Sequence, residues 1–277
     1  FNESDLFAKL AKLTMYRAEM PEGMAEANYF YKNASIYFNE RVAIEDLEEF
    51  AIHECIHYIQ EIKDKRNNLI RMGLCNFDAL KITGMGLNEA AVQFLTAKVI
   101  GIQKEAVKYF NISFETVSPS YYPLECNLIE QLTYFTGEEI LFDSTFTSND
   151  KFKNYFISLT SNKTFNEVEL CCDQILELEE EILTLNNKLS EFDERCNKTN
   201  KIIEKQEVQK QKITETFLKA QNSIIKGYFD NAFKNISNLE ELDNYRKKLD
   251  HFGNLIGRTD DYTFFDDYYT EKMSQLE

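Results

Sequence analysis

From Val168 onward, apolar residues recur at Cys172, Ile175, Leu178, Ile182, Leu185, Leu189, Phe192 and Cys196, always three or four positions apart. A seam of that period predicts a long helix lying against a second helix, since a strand would alternate every two residues. Residues 200–227 offer the partner. They are rich in Lys (Lys201, Lys205, Lys210, Lys212, Lys219) where 177–194 is rich in Glu, so an antiparallel helical hairpin is expected over 161–225. The second run is less regular in its apolar positions (Ile203, Val208, Ile213, Phe217, Ile224), which leaves self-association or a protein partner as another use of this hairpin.

Only 3 Pro and 9 Gly occur in 277 residues, too few for a many-turned sandwich or barrel. The expected fold class is mainly α with a small β-hairpin or sheet (α+β). With 47 acidic against 31 basic residues the net charge is -16, the wrong sign for holding a phosphate backbone, so nucleic acid is excluded as a partner. No apolar run is long enough to span a membrane, and the first 20 residues lack the pattern of a signal peptide. The chain starts at Phe1 and not Met, which leaves room for a removed leader. Six scattered cysteines without a CxxC pair read as reduced thiols, as in a cytoplasmic protein.

Along the chain, an opening helix is expected over 4–18, a break at Pro21-Glu22-Gly23, and a hairpin within 28–38 (NYFYKNASIYF). An amphipathic helix follows from Ile44 to Lys63, with Leu47, Phe50, Ala51, Cys55, Tyr58, Ile59 and Ile62 on its apolar positions. A second helix should be capped by Asn88 and stop at Gly101, and a third should run from Pro123 to Gly137. This organisation suggests a catalytic unit over 1–160, the hairpin over 161–225, and an aromatic-rich helical segment over 226–277 that packs back on the first.

Residues 53–57 read His53-Glu54-Cys55-Ile56-His57, an HExxH sequence inside the first of these helices. Chance would place such a match in only about 4 of 1,000 chains of this composition. Positions i and i+4 share one helix face, so both imidazoles can reach one metal ion, and Glu54 is left beside it to take a proton from a polarised water. The bland alternative is two helix-face histidines bonded to carbonyls. A catalytic zinc ion takes a third protein ligand, and the best candidate is Glu89, followed by the small Ala90 and Ala91 that would let two helices approach.

HECIH at 53–57 with NEAA at 88–91 resembles the gluzincin, thermolysin-like zinc metallopeptidases, over roughly residues 28–100. The resemblance implies two facing helices, one Zn2+ per chain held by His53, His57 and Glu89, and Glu54 as general base for hydrolysis of a peptide or protein substrate. It also implies a strand that holds an extended peptide, for which Ser35, Ile36, Tyr37 and Phe38 are the candidates, although a hairpin can equally serve as cover for a core. A short hairpin before an HExxH helix is similar to the arrangement in the IrrE-type regulatory metallopeptidases. Two departures stand out. Gln93 occupies the place of an Asp that orients a zinc-binding His, an uncharged acceptor for the same N–H, and the interval from His57 to Glu89 leaves room for an inserted loop over about 63–84.

A donor for the developing oxyanion could come from Tyr121, Tyr122, Tyr134 or His251. Cys55 and the Cys171-Cys172 pair read as packing residues. An alternative function is an interaction or regulatory protein that works through its helical hairpin and keeps a silent or structural zinc site. Hydrolysis of a non-peptide amide would use the same residues.

Overall fold

The computed structural model describes residues 2–21, 26–78, 81–190 and 197–276. Asn2 caps α1 (Glu3–Leu10), its Oδ1 accepting from Asp5 N at 2.8 Å. The helix expected over 4–18 ends there, and Thr14–Ala18 is β1. With β2 (Ala27–Phe30) and β3 (Ser35–Asn39) it forms a sheet of order β1-β3-β2, in which β3 runs parallel to β1 and antiparallel to β2. The ladder sets Tyr16 opposite Tyr37, with rings stacked at 5.3 Å, a cross-strand contact that overrides the local helical pattern.

The hairpin expected within 28–38 is the β2–β3 pair. After a 3-10 turn (Ile44–Asp46) comes α2 (Leu47–Gln60), three residues shorter than expected at its end because Glu61–Lys63 turns extended as β4. With β5 (Leu69–Met72), β6 (Cys75–Asp78) and β7 (Lys81–Thr83) it makes an antiparallel meander. The interval expected to be an inserted loop is therefore a sheet.

α3 (Met85–Ile100) starts after Gly84, whose φ of 78° suits a residue without Cβ, and Gly101 stops it at φ 83° as expected. Asn88 is not its cap. It lies inside the helix, fully buried, where its Oδ1 accepts from Leu74 N at 3.0 Å. β8 (Glu105–Tyr109) and β9 (Ile112–Thr116) form a hairpin absent from the sequence expectations, turned by Phe110 and Asn111 at φ 45° and 68°.

α4 (Pro123–Thr136) matches the third expected helix, and α5 (Glu138–Thr147) and α6 (Lys151–Leu159) follow. The seam lies on α7 (Asn162–Ser190), with Val168, Cys172, Ile175, Ile182 and Leu185 buried, while its last members Phe192 and Cys196 fall outside the described residues. Its partner α8 (Asn197–Lys234) continues past the expected end at 225. The pair is antiparallel, since Ser223 Oγ donates to Glu167 at 2.5 Å and Gln206 Nε2 to Asn186 Oδ1 at 2.6 Å. At the far end Gln206 and Gln209 are buried, while Ile203 and Val208 are 44% and 52% exposed. α9 (Leu239–Phe252) and α10 (Phe264–Leu276) complete the chain.

One apolar cluster runs from Phe94 on α3 through Leu128, Phe156, Ile175 and Phe217 to Phe252 on α9, so the base of the α7–α8 hairpin is part of the main core. Asp173 of α7 accepts from the free amides of Gly84 and Gly86, both at 2.9 Å, which satisfies donors that the start of α3 cannot pair internally. Gly86 permits that approach, because a Cβ there would lie 2.4 Å from the Cys172 carbonyl oxygen. The result is mainly α with small sheets, the expected class. No described helix is long and apolar enough to cross a membrane.

Candidate metal centre

α2 carries His53 and His57 on one face, a single turn apart, and their Nε2 atoms lie 3.0 Å from one another. α3 packs on α2 through Val92 and Leu95 against Ile56, whereas Ala90 and Ala91, expected to let the two helices approach, are buried in the main core cluster. Glu89, one turn into α3, brings its Oε2 to 3.3 Å from His53 Nε2 and 3.4 Å from His57 Nε2. A tetrahedral ion with ligands at about 2.0–2.1 Å has ligand-to-ligand edges of about 3.3 Å, so the three atoms already outline one face of such a site. The buried group formed by His53, His57 and Glu89 can hold a metal ion.

The orientation of His53 follows from hydrogen-bond chemistry. Gln93 Nε2 donates to Glu49 Oε1 at 2.7 Å, and because a carboxylate only accepts, Gln93 must turn its Oε1 toward His53 Nδ1, 2.9 Å away. His53 therefore donates from Nδ1 and keeps the Nε2 lone pair for the shared point. The expected Gln93 is in place, and behind it stands Glu49 of the first turn of α2, which no sequence motif singles out.

Burial alone would push Glu89 up and His57 down, but the His57 and His53 imidazoles hold the Glu89 carboxyl well below the usual range. The Glu89 charge in turn holds His57 up to about 9, against the pull of burial. In the absence of metal the pair is an imidazolium against a carboxylate. Glu54 lines the cleft beside His53 and makes no hydrogen bond or ion pair among the described residues.

Of the four oxyanion candidates only Tyr122 reaches the site. Its ring lies 6.3 Å from His53, and it lines the same cleft as Glu89. It precedes α4 with φ 50°, a left-handed backbone that a bulky side chain adopts only when its surroundings impose it. The Glu89 charge, with burial, raises the phenol well above its ordinary value, so it stays a donor. Tyr121 packs edge-on against Phe50 at 5.4 Å, Tyr134 donates to the Lys248 carbonyl at 3.0 Å, and His251 is exposed in the last turn of α9. Those three contribute nothing to this site.

The cleft in front of the three ligands has a volume of about 310 Å³. Its walls come from β2 (Ala27, Asn28, Tyr29), from the meander (Leu69, Met72, Phe77), and from α7 (Leu176, Glu180). Compared with models of protein families, with curated proteins and with solved structures, the chain matches none. The strand expected to hold a peptide is not an edge of its sheet. Ser35, Ile36, Tyr37 and Phe38 lie in the central strand of their sheet, with both edges already paired, and cannot accept a further strand. The edge beside the cleft is that of β2, which has no outer partner among the described residues.

Proposed function

We propose that this protein is a zinc-dependent hydrolase of peptide bonds, with His53, His57 and Glu89 as the metal ligands and Glu54 as the general base. The observation that supports it most directly is the ligand triangle with edges of 3.0, 3.3 and 3.4 Å, with Glu54 in the adjoining cleft. Two imidazole nitrogens and one carboxylate oxygen suit zinc better than calcium or magnesium, which prefer oxygen throughout. When bound, zinc supplies a Lewis acid that brings the pKa of water near neutrality and polarises a carbonyl oxygen.

The residues then have separate tasks. Glu54 accepts a proton from the attacking water and returns it to the departing amine nitrogen. Tyr122 donates its hydroxyl to the carbonyl oxygen as negative charge develops there. Gln93, held by Glu49, keeps His53 in the tautomer that presents Nε2. The free edge of β2 holds an extended peptide by backbone hydrogen bonds.

The test is metal analysis of wild type and Glu89→Ala after dialysis against a weak chelator, followed by a peptide-library digest with wild type and Glu54→Gln. About one zinc per chain, lost in Glu89→Ala, together with cleavage that Glu54→Gln abolishes while retaining zinc, is the expected result. A wild type that takes up no zinc on reconstitution, or a Glu54→Gln variant that cleaves as well as wild type, overturns the proposal.

A further inference from the structure

α7 supplies one wall of the cleft, and it brings a charge. On α7, Asp173, Leu176 and Glu180 stand at i, i+3 and i+7, one helix face. Asp173 is fixed on the start of α3 by its two 2.9 Å bonds to Gly84 and Gly86. One and two turns further along, Leu176 and Glu180 line the cleft. Glu180 lies about 10 Å along the helix from that anchor. It is exposed and has no hydrogen bond or ion pair among the described residues.

Among the described residues no Lys or Arg side chain lines the cleft, whose charged groups are Glu54, Glu89, Glu180 and the two histidines. With a divalent ion on neutral imidazoles, Glu89 and Glu54 together cancel the metal charge, which leaves Glu180 as the uncompensated one. Beside the polar Asn28, Tyr31 and Tyr122, most of the remaining wall is apolar and adaptable (Leu69, Met72, Phe77, Met85, Leu176). Resting on the peptidase reading above, we propose that Glu180 is a specificity residue that selects peptides carrying a cationic group beside an apolar stretch, and disfavours acidic ones. The cation can be a Lys or Arg side chain or a free α-amine, since each offers N–H donors and a positive charge to the same carboxylate.

The probes are internally quenched decapeptides of one apolar sequence, acetylated and amidated, with Lys, Gln or Glu at each position in turn, plus the Gln peptide with a free N-terminus. Cleavage is measured as kcat/KM on zinc-loaded wild type, Glu180→Gln and Glu180→Lys. Binding is measured separately as Kd by fluorescence anisotropy, with each variant also carrying Glu54→Gln. At the responsive position wild type should favour Lys over Gln, and Gln over Glu, by about fivefold per step, the size expected of an exposed ion pair. Glu180→Gln should level the series and Glu180→Lys should invert it, with zinc content unchanged in both. A preference seen only with the free N-terminus assigns the cation to the α-amine. A ranking that is flat in wild type, or unchanged in Glu180→Lys, overturns the proposal. Binding that follows residue 180 without any cleavage sustains the selectivity and removes the peptidase reading. Cleavage indifferent to residue 180 does the reverse, and neither cleavage nor binding removes both.

Discussion

Glu49 Oε1 accepts a 2.7 Å hydrogen bond from Gln93 Nε2, and Gln93 Oε1 in turn meets His53 Nδ1 at 2.9 Å. A carboxylate thus governs the first histidine through an amide, and the charge sits one residue further from the metal than direct contact would put it. Replacing Glu49 by Gln removes the acceptor-only group that fixes the amide, so Gln93 can turn and His53 loses its enforced tautomer. Zinc affinity should fall about tenfold in Glu49→Gln and up to about a hundredfold in Gln93→Leu, read by competition with a chromophoric chelator. Equal affinities across the three proteins would show that the chain of bonds does not support the metal.

Metal binding should depend steeply on pH. Burial disfavours the His57 imidazolium, but the Glu89 charge and hydrogen bond outweigh it and hold the pKa up to about 9. Below that value a metal ion must displace the His57 proton, so each binding event releases one. Apparent zinc affinity should rise about tenfold per unit between pH 6 and pH 8. A flat profile over that range would mean that His57 is already neutral in the metal-free protein.

Gly86 should not tolerate a methyl group. Its Cβ would stand 2.4 Å from the Cys172 carbonyl and 2.9 Å from Asp173 N, both backbone atoms that cannot swing aside. Gly86→Ala should destabilise the protein by about 3 kcal/mol, the upper range for overpacking. Gly101→Ala meets no atom within 4 Å and should lose only about 1 kcal/mol, from its φ of 83°. Denaturant unfolding of the two variants gives the comparison, and equal losses would contradict the close packing of α3 on α7.

Glu125 on α4 is fully buried with neither carboxyl oxygen hydrogen-bonded among the described residues. Burial, then the nearby Glu179, raises its pKa well above the ordinary value, and burial pushes Glu179 up to about 7. The folded chain thus keeps protons that the unfolded chain releases above about pH 4.5, and stability is lost as pH rises through the folded values. Wild type should melt at a lower temperature at pH 8.5 than at pH 5.5. Glu125→Gln should flatten that decline and gain about 1–2 kcal/mol at pH 8.5, a few degrees in Tm. Parallel declines in both proteins would place the pH dependence elsewhere.

The centre was legible in the sequence to the extent that its geometry is local. His53, Glu54 and His57 sit on one helix, and a helix relates i to i+4 whatever surrounds it. Glu89 could be nominated because the stop at Gly101 marks its helix and the small Ala90 and Ala91 follow it in the sequence. The seam of α7 was likewise readable, being a periodicity within one element.

What the sequence determined by itself was the inventory of elements whose signal repeats along one helix: α2 with its two histidines, α3 with Glu89, and the long helices of the hairpin. Tertiary structure alone decided that Thr14–Ala18 is a strand, that β3 is central and β2 the free edge, and that Tyr122 rather than Tyr134 or His251 faces Glu89. It also decided that Glu49 stands behind Gln93 and that Glu180 hangs over a cleft whose ligands lie about a hundred residues earlier in the chain. The physical reason is the range of the forces that select each feature. Helical periodicity is set by the backbone within a few residues, whereas strand order and the pairing of one carboxylate with one amide are set by packing between segments that meet only when the core closes.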